Sequence, residues 1–437
     1  MKTRKEKDAL GSVDVPHESY GGSFTQRALE NFQISSLRAY PSFKWALGTI
    51  KKAAAKVNAE LKELDIKNAE AIQKAADEFL SGDFDADFDL DIYQAGAATP
   101  FNMNVNEILA NRANELLGSE KGTYKPVHPN DHVNKGQSSN DVIPTAIRLA
   151  ANRDLKPLLR AGSDLMNAFE RKAKEFKKMQ KVGRTHLQDA IPITLGDEFG
   201  AYASSIRHAL ARLDAARHEL LELGIGGTAV GSGLNAHPKF AEKMSQLLSD
   251  WVDDHFIPAP NLFETTHSMA PFAAVSSALS LLATELFRIS NDLRLMASGP
   301  RAGFNEILLP EVEPGSSIMP GKVNPSVLEC LNMICIQVMG LDHAIRLSAQ
   351  QGQFELNWHT PLIAFDLLHQ IEILSNGMKM FTQHCIDGIV ANEAEMKTAL
   401  ENSTALATAL VPKLGYAKVA EIVHKAHATK RPLTDFL

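Results

Sequence analysis

The chain has 437 residues, 44% of them apolar and 22% charged, with a formal net charge of −7. This is an ordinary globular balance, and its acidic surplus excludes the basic footprint of a nucleic-acid binder. Three cysteines (Cys330, Cys335 and Cys385) are too few, and odd in number, for a disulfide framework; they suit a reducing, cytoplasmic setting.

In chain order, residues 1–22 are basic but precede no apolar core, so neither a secretory signal nor a membrane anchor is expected. No run approaches the ~18 consecutive apolar residues of a membrane-spanning helix. Aromatic residues are only 7% while Ala and Leu are abundant, which favours helices over strands. Apolar residues recur at helical spacing over 45–80, 141–180, 195–223, 238–252, 271–298, 324–350 and 361–382. Val275, Leu279, Leu282, Leu286, Ile289 and Leu293 make one stripe, and Val327, Leu331, Ile334, Val338 and Leu341 another. Pro271 suits a helix start and Gly299-Pro300 a stop. Helices apolar nearly all round are buried among other helices, so an all-α fold with a long bundle is expected. Strand candidates are few, with no βαβ rhythm. The run Asp83, Asp85, Asp87, Asp89, Asp91 lacks the Gly and Glu of a calcium loop and reads as a solvated loop. His128 and His132 are four apart, but Pro129 and Asn130 do not suit a helix, and no metal site is expected.

The helical pattern breaks at 94–106, 126–141, 182–190, 223–237 and 299–325, all rich in small and polar residues. Long ordered loops between helices are where chemistry is sought. In the first, Thr99 offers a hydroxyl; the plainer reading is a helix start capped by Asn104 or Asn106. In the second, Ser138, Ser139, Asn140 and Asp141 precede a helix expected to begin near Val142, where free N–H groups favour an anion. The plainer reading, capping alone, accounts for one residue of the four. In the third, His186 sits between Thr185 and Gln188, although a lone His is more often structural. The fourth, Gly224 to Gly233, fails the G-x-G-x-x-G pattern at Ala229 and follows a helix, so close chain packing is the better reading. The fifth places Ser316 and Ser317 between glycines with Lys322 after them, as a closing lid would; the plainer reading is a turn-rich connection.

Gly315-Ser-Ser-Ile-Met-Pro-Gly-Lys-Val-Asn324 closely resembles the signature of the fumarase/aspartase superfamily. Gln137-Ser-Ser-Asn-Asp141 and Gly183-Arg-Thr-His-Leu-Gln-Asp189 resemble its two other active-site regions, in the family's order, and residues 4–32, ending in Thr25 to Phe32, resemble its opening. The resemblance covers essentially the whole chain and points to the branch of class II fumarases and aspartases. It implies a three-domain fold: an N-terminal domain over 1–140, a central helical bundle over 141–394 and a small C-terminal helical domain over 395–437. It also implies a homotetramer around a twenty-helix core, with each site shared between subunits. The family normally continues a few helical turns beyond the position of Leu437. The implied substrate is a small dicarboxylate, with no metal or organic cofactor and no nucleic-acid or membrane partner.

The implied reaction is reversible anti-elimination from a 2-substituted succinate to give fumarate. The high-energy species is an aci-carboxylate dianion, on which donors must converge. By resemblance, Thr99, Ser138, Ser139 and Ser317 hold that carboxylate. Asn140, Thr185, Lys322 and Asn324 hold the other carboxylate and the leaving group. Ser316 matches the general base, His186 orients the substrate or leaving group, and Glu329 pairs with His186. His128, Asn130 and Asp131 match a second anion site.

The substrate evidence divides. Ser138-Ser139-Asn140-Asp141 and Gly226-Gly-Thr-Ala-Val230 lean to fumarate hydratase. Ala97 stands where fumarases typically carry Ser, and Arg294-Leu-Met-Ala-Ser298, Pro300 to Glu306, Gly352 to Asn357 and Thr185-His-Leu-Gln188 lean to aspartase. Trp358-His-Thr-Pro361 departs from both. Placing Ala97 beside the substrate favours L-aspartate going to fumarate and ammonia. The alternative is hydration of fumarate to L-malate, and a remote one is a non-catalytic structural protein.

Overall fold

Apolar residues at helical spacing do form helices in the computed structural model, which describes residues 2–429 and 431–436. Met1, Lys430 and Leu437, within the expected first and last domains, lie outside the described residues. The chain opens on an antiparallel hairpin that the sequence reading missed, β1 (Thr3–Asp8) with β2 (Gly11–Pro16), in register from Thr3↔Pro16 to Asp8↔Gly11. Helix α1 (Ser23–Asn31) follows. The helix expected over 45–80 is two: α2 (Pro41–Glu60) and α3 (Ile66–Ser81). Asp65 makes the break, its carboxylate accepting from the amides of Lys67 and Asn68 as an N-cap. Next come α4 (Thr99–Leu116) and α5 (Ser139–Glu175), which begins three residues before the expected Val142.

A second hairpin, β3 (Gln180–Thr185) and β4 (Gln188–Thr194), precedes α6 (Leu195–Arg217). Then follow α7 (Phe240–Val252), α8 (Leu262–His267), α9 (Ala270–Met296), α10 (Ser326–Ala349) and α11 (Thr360–His384). The chain closes through α12 (Glu393–Asn402), the single turn α13 (Val411–Leu414) and α14 (Tyr416–Thr429). Among the described residues every sheet is two-stranded.

The chain divides into two units: 1–157 with 213–279 and 340–372, and 158–212 with 280–339 and 373–437. The spans expected from the resemblance cut the chain in sequence order, whereas these units cut through the long helices. In the first unit Leu47, Ile50 and Ala54 of α2 are fully buried, and Phe101 of α4 meets Phe43 edge-on at 5.7 Å and stacks on Phe88 at 5.4 Å. In the second, Phe199 of α6 packs on Phe169 at 5.7 Å and Phe176 at 5.1 Å. Such rings dominate core burial.

One expectation needs correcting. The acidic run is not merely solvated: Asp87 accepts from Ser19 and from the amide of Tyr20, and Asp91, 4% exposed, accepts from the amides of Ile34 and Ser35. These bonds tie the first segments together. The helices α9 and α10 are also long and apolar enough to cross a membrane by length and composition. Within α10, however, Asp342 is buried and accepts from Ser276 and Ser277 of α9. A buried carboxylate paired in this way belongs to helix–helix packing.

Candidate active site

The first unit carries four of the expected carboxylate donors, Thr99, Ser138, Ser139 and Asn140. Thr99 opens α4, and its hydroxyl lies 3.1 Å from that of Ser139, which opens α5. Two helix starts therefore present hydroxyls and free amides side by side, an arrangement suited to an anion. Asn104 and Asn106 cap nothing; both are buried inside α4, where Asn104 donates to Thr25 and to the Asp87 carbonyl. The turn before Thr99 holds Ala97 (φ 58°) and Ala98 (φ 52°) in the left-handed region.

Ser138 caps α5. Its hydroxyl accepts from the Asn140 amide at 3.2 Å, while Asp141 accepts from the Ser138 amide at 2.9 Å, the reciprocal pattern of a capping box. A capping hydroxyl still has its proton to give a ligand. Asn140 is oriented by its bond to the Ala229 carbonyl at 2.7 Å. Asp141 is buried, and its second oxygen accepts from the amides of Gly226 and Thr228. The glycine-rich segment is thus a support for this loop. On the other side Lys51 of α2, 0% exposed, donates to Asn134 at 2.9 Å and Gln137 at 3.0 Å.

Burial pushes the Asp141 carboxyl up to about 6 against its amide donors, and pushes the Lys51 ammonium down to about 7. The signs differ. Between the unfolded Asp value near 3.9 and 6 the folded chain holds the extra proton at Asp141, so this group makes stability fall as pH rises. Between 7 and the unfolded Lys value near 10.4 the folded chain has already released the proton of Lys51, so stability rises with pH. Lys51→Met is therefore expected to flatten the alkaline limb of a thermal-denaturation series, by up to about 1.4 kcal/mol per pH unit. An unchanged slope between pH 7 and 10 would contradict this electrostatic account.

His128 caps, and His132 lies within, a single π-helical turn, Pro129–Val133, where no helix was expected. His128 Nδ1 accepts from the amides of Asn130 and Asp131, and His132 Nδ1 accepts from the His128 amide. An accepting Nδ1 leaves the His128 proton on Nε2, free to meet an anion. Asn130 and Asp131 are exposed beside it.

The second unit carries the other expected residues on two projections. Thr185 ends β3, and His186 (φ 54°) with Leu187 (φ 61°) forms the turn into β4. Two positive φ values match the twist of a tight hairpin, but they strain a bulky Leu. The base of this hairpin is braced by buried charge. Glu306, 1% exposed, meets Lys181 at 2.8 Å and Arg184 at 2.7 Å, and Lys181 also meets Glu198 at 2.7 Å.

The second projection is the loop Gly315 to Asn324. The Ser316 amide donates to the Lys322 carbonyl at 2.9 Å, closing the loop on itself. The Ser316 hydroxyl oxygen accepts from the amides of Ile318 at 3.3 Å and Met319 at 3.2 Å. Lys322 donates to Asn324, and both Ser317 and Lys322 are exposed. Glu329 is exposed on the first turn of α10, and among the described residues no ion pair joins it to His186. The expected Glu329–His186 pair therefore does not form within the chain.

The structure brings Thr99 to Ser139, Ser138 to Asn140, and Lys322 to Asn324. Sequence reasoning missed Lys51, Lys181, Glu198 and Glu306 as supports. Lys51 left a signal, because it occupies the buried stripe of Leu47, Ala54 and Asn58. Glu306 left none, since its partners are distant in sequence.

A family profile described as lyase matches residues 11–340. The chain is 47% identical to a class II fumarate hydratase of Bradyrhizobium diazoefficiens, over 99% of this chain and 92% of that protein. It is 45% identical to one of Neisseria meningitidis, over 100% of this chain and 94% of that protein. The crystal structure of a class II fumarase from Schistosoma mansoni superposes with a TM-score of 0.96 at 38% identity, covering 99% of this chain and 94% of that one. The motifs, the helical fold and these likenesses agree: the chain belongs to the fumarase/aspartase superfamily, in its class II fumarase branch, and is a lyase.

Proposed function

We propose that this enzyme catalyses the reversible hydration of fumarate to L-malate. The observation that carries the reading is the relatives' shared name, fumarate hydratase, at 45–47% identity over almost the whole chain. It outweighs the aspartate reading, which rested on Ala97 standing beside the substrate. Ala97 is 5% exposed, and its amide is bonded to the Trp358 carbonyl at 2.8 Å, so its methyl offers a ligand little surface.

In the dehydration direction a base removes a proton from C3 of malate, and the hydroxyl leaves C2 with a proton as water. Ser316 is the proposed base, with two amides aimed at its oxygen to favour the alkoxide. Thr99, Ser138, Ser139 and Ser317 would donate to the aci-carboxylate. Asn140, Thr185, Lys322 and Asn324 would hold the second carboxylate and the departing hydroxyl, with His186 orienting it. The donors sit on separate projections, which fits a site completed by other subunits of a homotetramer; Glu329 would then meet His186 across subunits. Exposed Leu281 and Leu295 of α9 and Met333, Ile336 and Leu347 of α10 supply apolar surface for that assembly. Three unpaired cysteines support a cytoplasmic setting.

The deciding experiment follows fumarate absorbance with purified protein, with and without ammonium. Consumption without ammonium, yielding malate, is expected. Consumption that requires ammonium and yields aspartate would overturn the proposal.

A further inference from the structure

Two places where the chain departs from its family's pattern, Ala97 and Trp358, meet in the structure. The turn Gly96–Ala98 sets the position of Thr99, yet its last two residues are left-handed without being glycine. Each such residue is conformationally costly and persists only where the surroundings enforce it. Enforcement comes from Trp358. Its carbonyl accepts from the Ala97 amide at 2.8 Å. Its side chain lies flush on Gly96, where an added Cβ would come within 2.8 Å of Trp358 Cβ and 3.0 Å of its ring carbon Cε3.

Trp358 is itself anchored. Asn357, 0% exposed, donates to the carbonyls of Ser348 and Ala349 at the end of α10 and accepts from the His359 amide at 2.9 Å. The indole stacks on His359, with ring centroids 3.8 Å apart, and remains 49% exposed. One side of the indole therefore grips the turn while much of the rest faces outward.

We propose that Trp358 is a positioning residue for the Thr99–Ser139 end of the site, holding the turn that aims the Thr99 hydroxyl at a substrate carboxylate. The inference rests on the reading of Thr99 as a carboxylate donor. Thr99 would donate to the substrate carboxylate and to the aci-carboxylate it becomes, so loss of Trp358 lowers kcat/KM and weakens ground-state binding as well.

The chain has three tryptophans, Trp45, Trp251 and Trp358. In the full-length Trp45→Phe/Trp251→Phe enzyme, emission comes from Trp358 alone. Succinate, saturated and transparent, is the probe. A saturable change in emission is expected, and adding Thr99→Ala should raise the succinate concentration at half-saturation about tenfold, the scale of one lost hydrogen bond. Trp358→Ala should lower kcat/KM for fumarate by at least a similar factor, and Trp358→Phe should restore most of it. Gly96→Ala, which pushes the turn and Trp358 apart from the other side, should copy Trp358→Ala if that variant folds poorly. An emission unmoved by succinate that nonetheless inhibits turnover would overturn the proposal. So would a kcat/KM unchanged in both Trp358→Ala and Gly96→Ala. If Thr99→Ala lowers kcat/KM while those two do not, only the role of Trp358 fails. If Thr99→Ala is itself without effect, the reading of Thr99 fails with it.

Discussion

Ser316→Ala is expected to lower kcat by about 10²–10⁴-fold, the usual contribution of a positioned general base. The argument is local. A serine is a weak base unless its alkoxide is stabilised, and the Ser316 oxygen already accepts two amides, those of Ile318 and Met319. The loop that presents it closes through the bond from the Ser316 amide to the Lys322 carbonyl. Gly315 permits this closure, because a Cβ there would collide with the Lys322 carbonyl oxygen. Gly315→Ala should therefore also abolish turnover, by opening the loop. Succinate binding separates the two causes: it should persist in Ser316→Ala and weaken in Gly315→Ala. The secondary structure and oligomer size of Ser316→Ala should match wild type, since alanine keeps the backbone bond from residue 316 to the Lys322 carbonyl that closes the loop. Turnover by Ser316→Ala within threefold of wild type would remove the residue from the mechanism.

Glu306→Leu is expected to cost about 3–5 kcal/mol of stability, the penalty for stripping a buried ion of its partner. Glu306 is 1% exposed and faces Lys181 and Arg184 together, so its removal leaves two cations close in a dry site. Lys181 keeps Glu198 at 2.7 Å, which offsets part of the loss. The double variant Lys181→Met/Glu306→Leu should recover some stability over Glu306→Leu alone, because the two sites share one interaction. Urea denaturation of wild type, Lys181→Met, Glu306→Leu and the double variant measures this. A single variant within 1 kcal/mol of wild type, or a double variant as unstable as the sum of its parts, would show that the cluster is not the brace it resembles. The same variant should lose activity beyond its stability loss, because β3 carries both Lys181 and Thr185.

The pattern of amino acids determined the long helices of this protein. An apolar stripe recurring every three or four residues can be buried only as a helix, and α9, α10 and α11 fall within two residues of the expected spans. It also exposed the site segments, since polar runs such as Ser138–Asn140 and Ser316–Asn324 interrupt those stripes for no packing reason. The two hairpins were not legible, because six or seven residues with mixed burial show no clean alternation. Nor was the single helix over 45–80 correctly divided, although Asp65 carried the capping signal. The left-handed backbone at Ala97 and Ala98 was decided by tertiary structure alone. No local code puts such residues there; hydrogen bonds and contacts from distant segments outweigh the strain. Burial of Lys51 and Glu306 is of the same kind, for a charge is driven inward only when partners far along the chain fold around it.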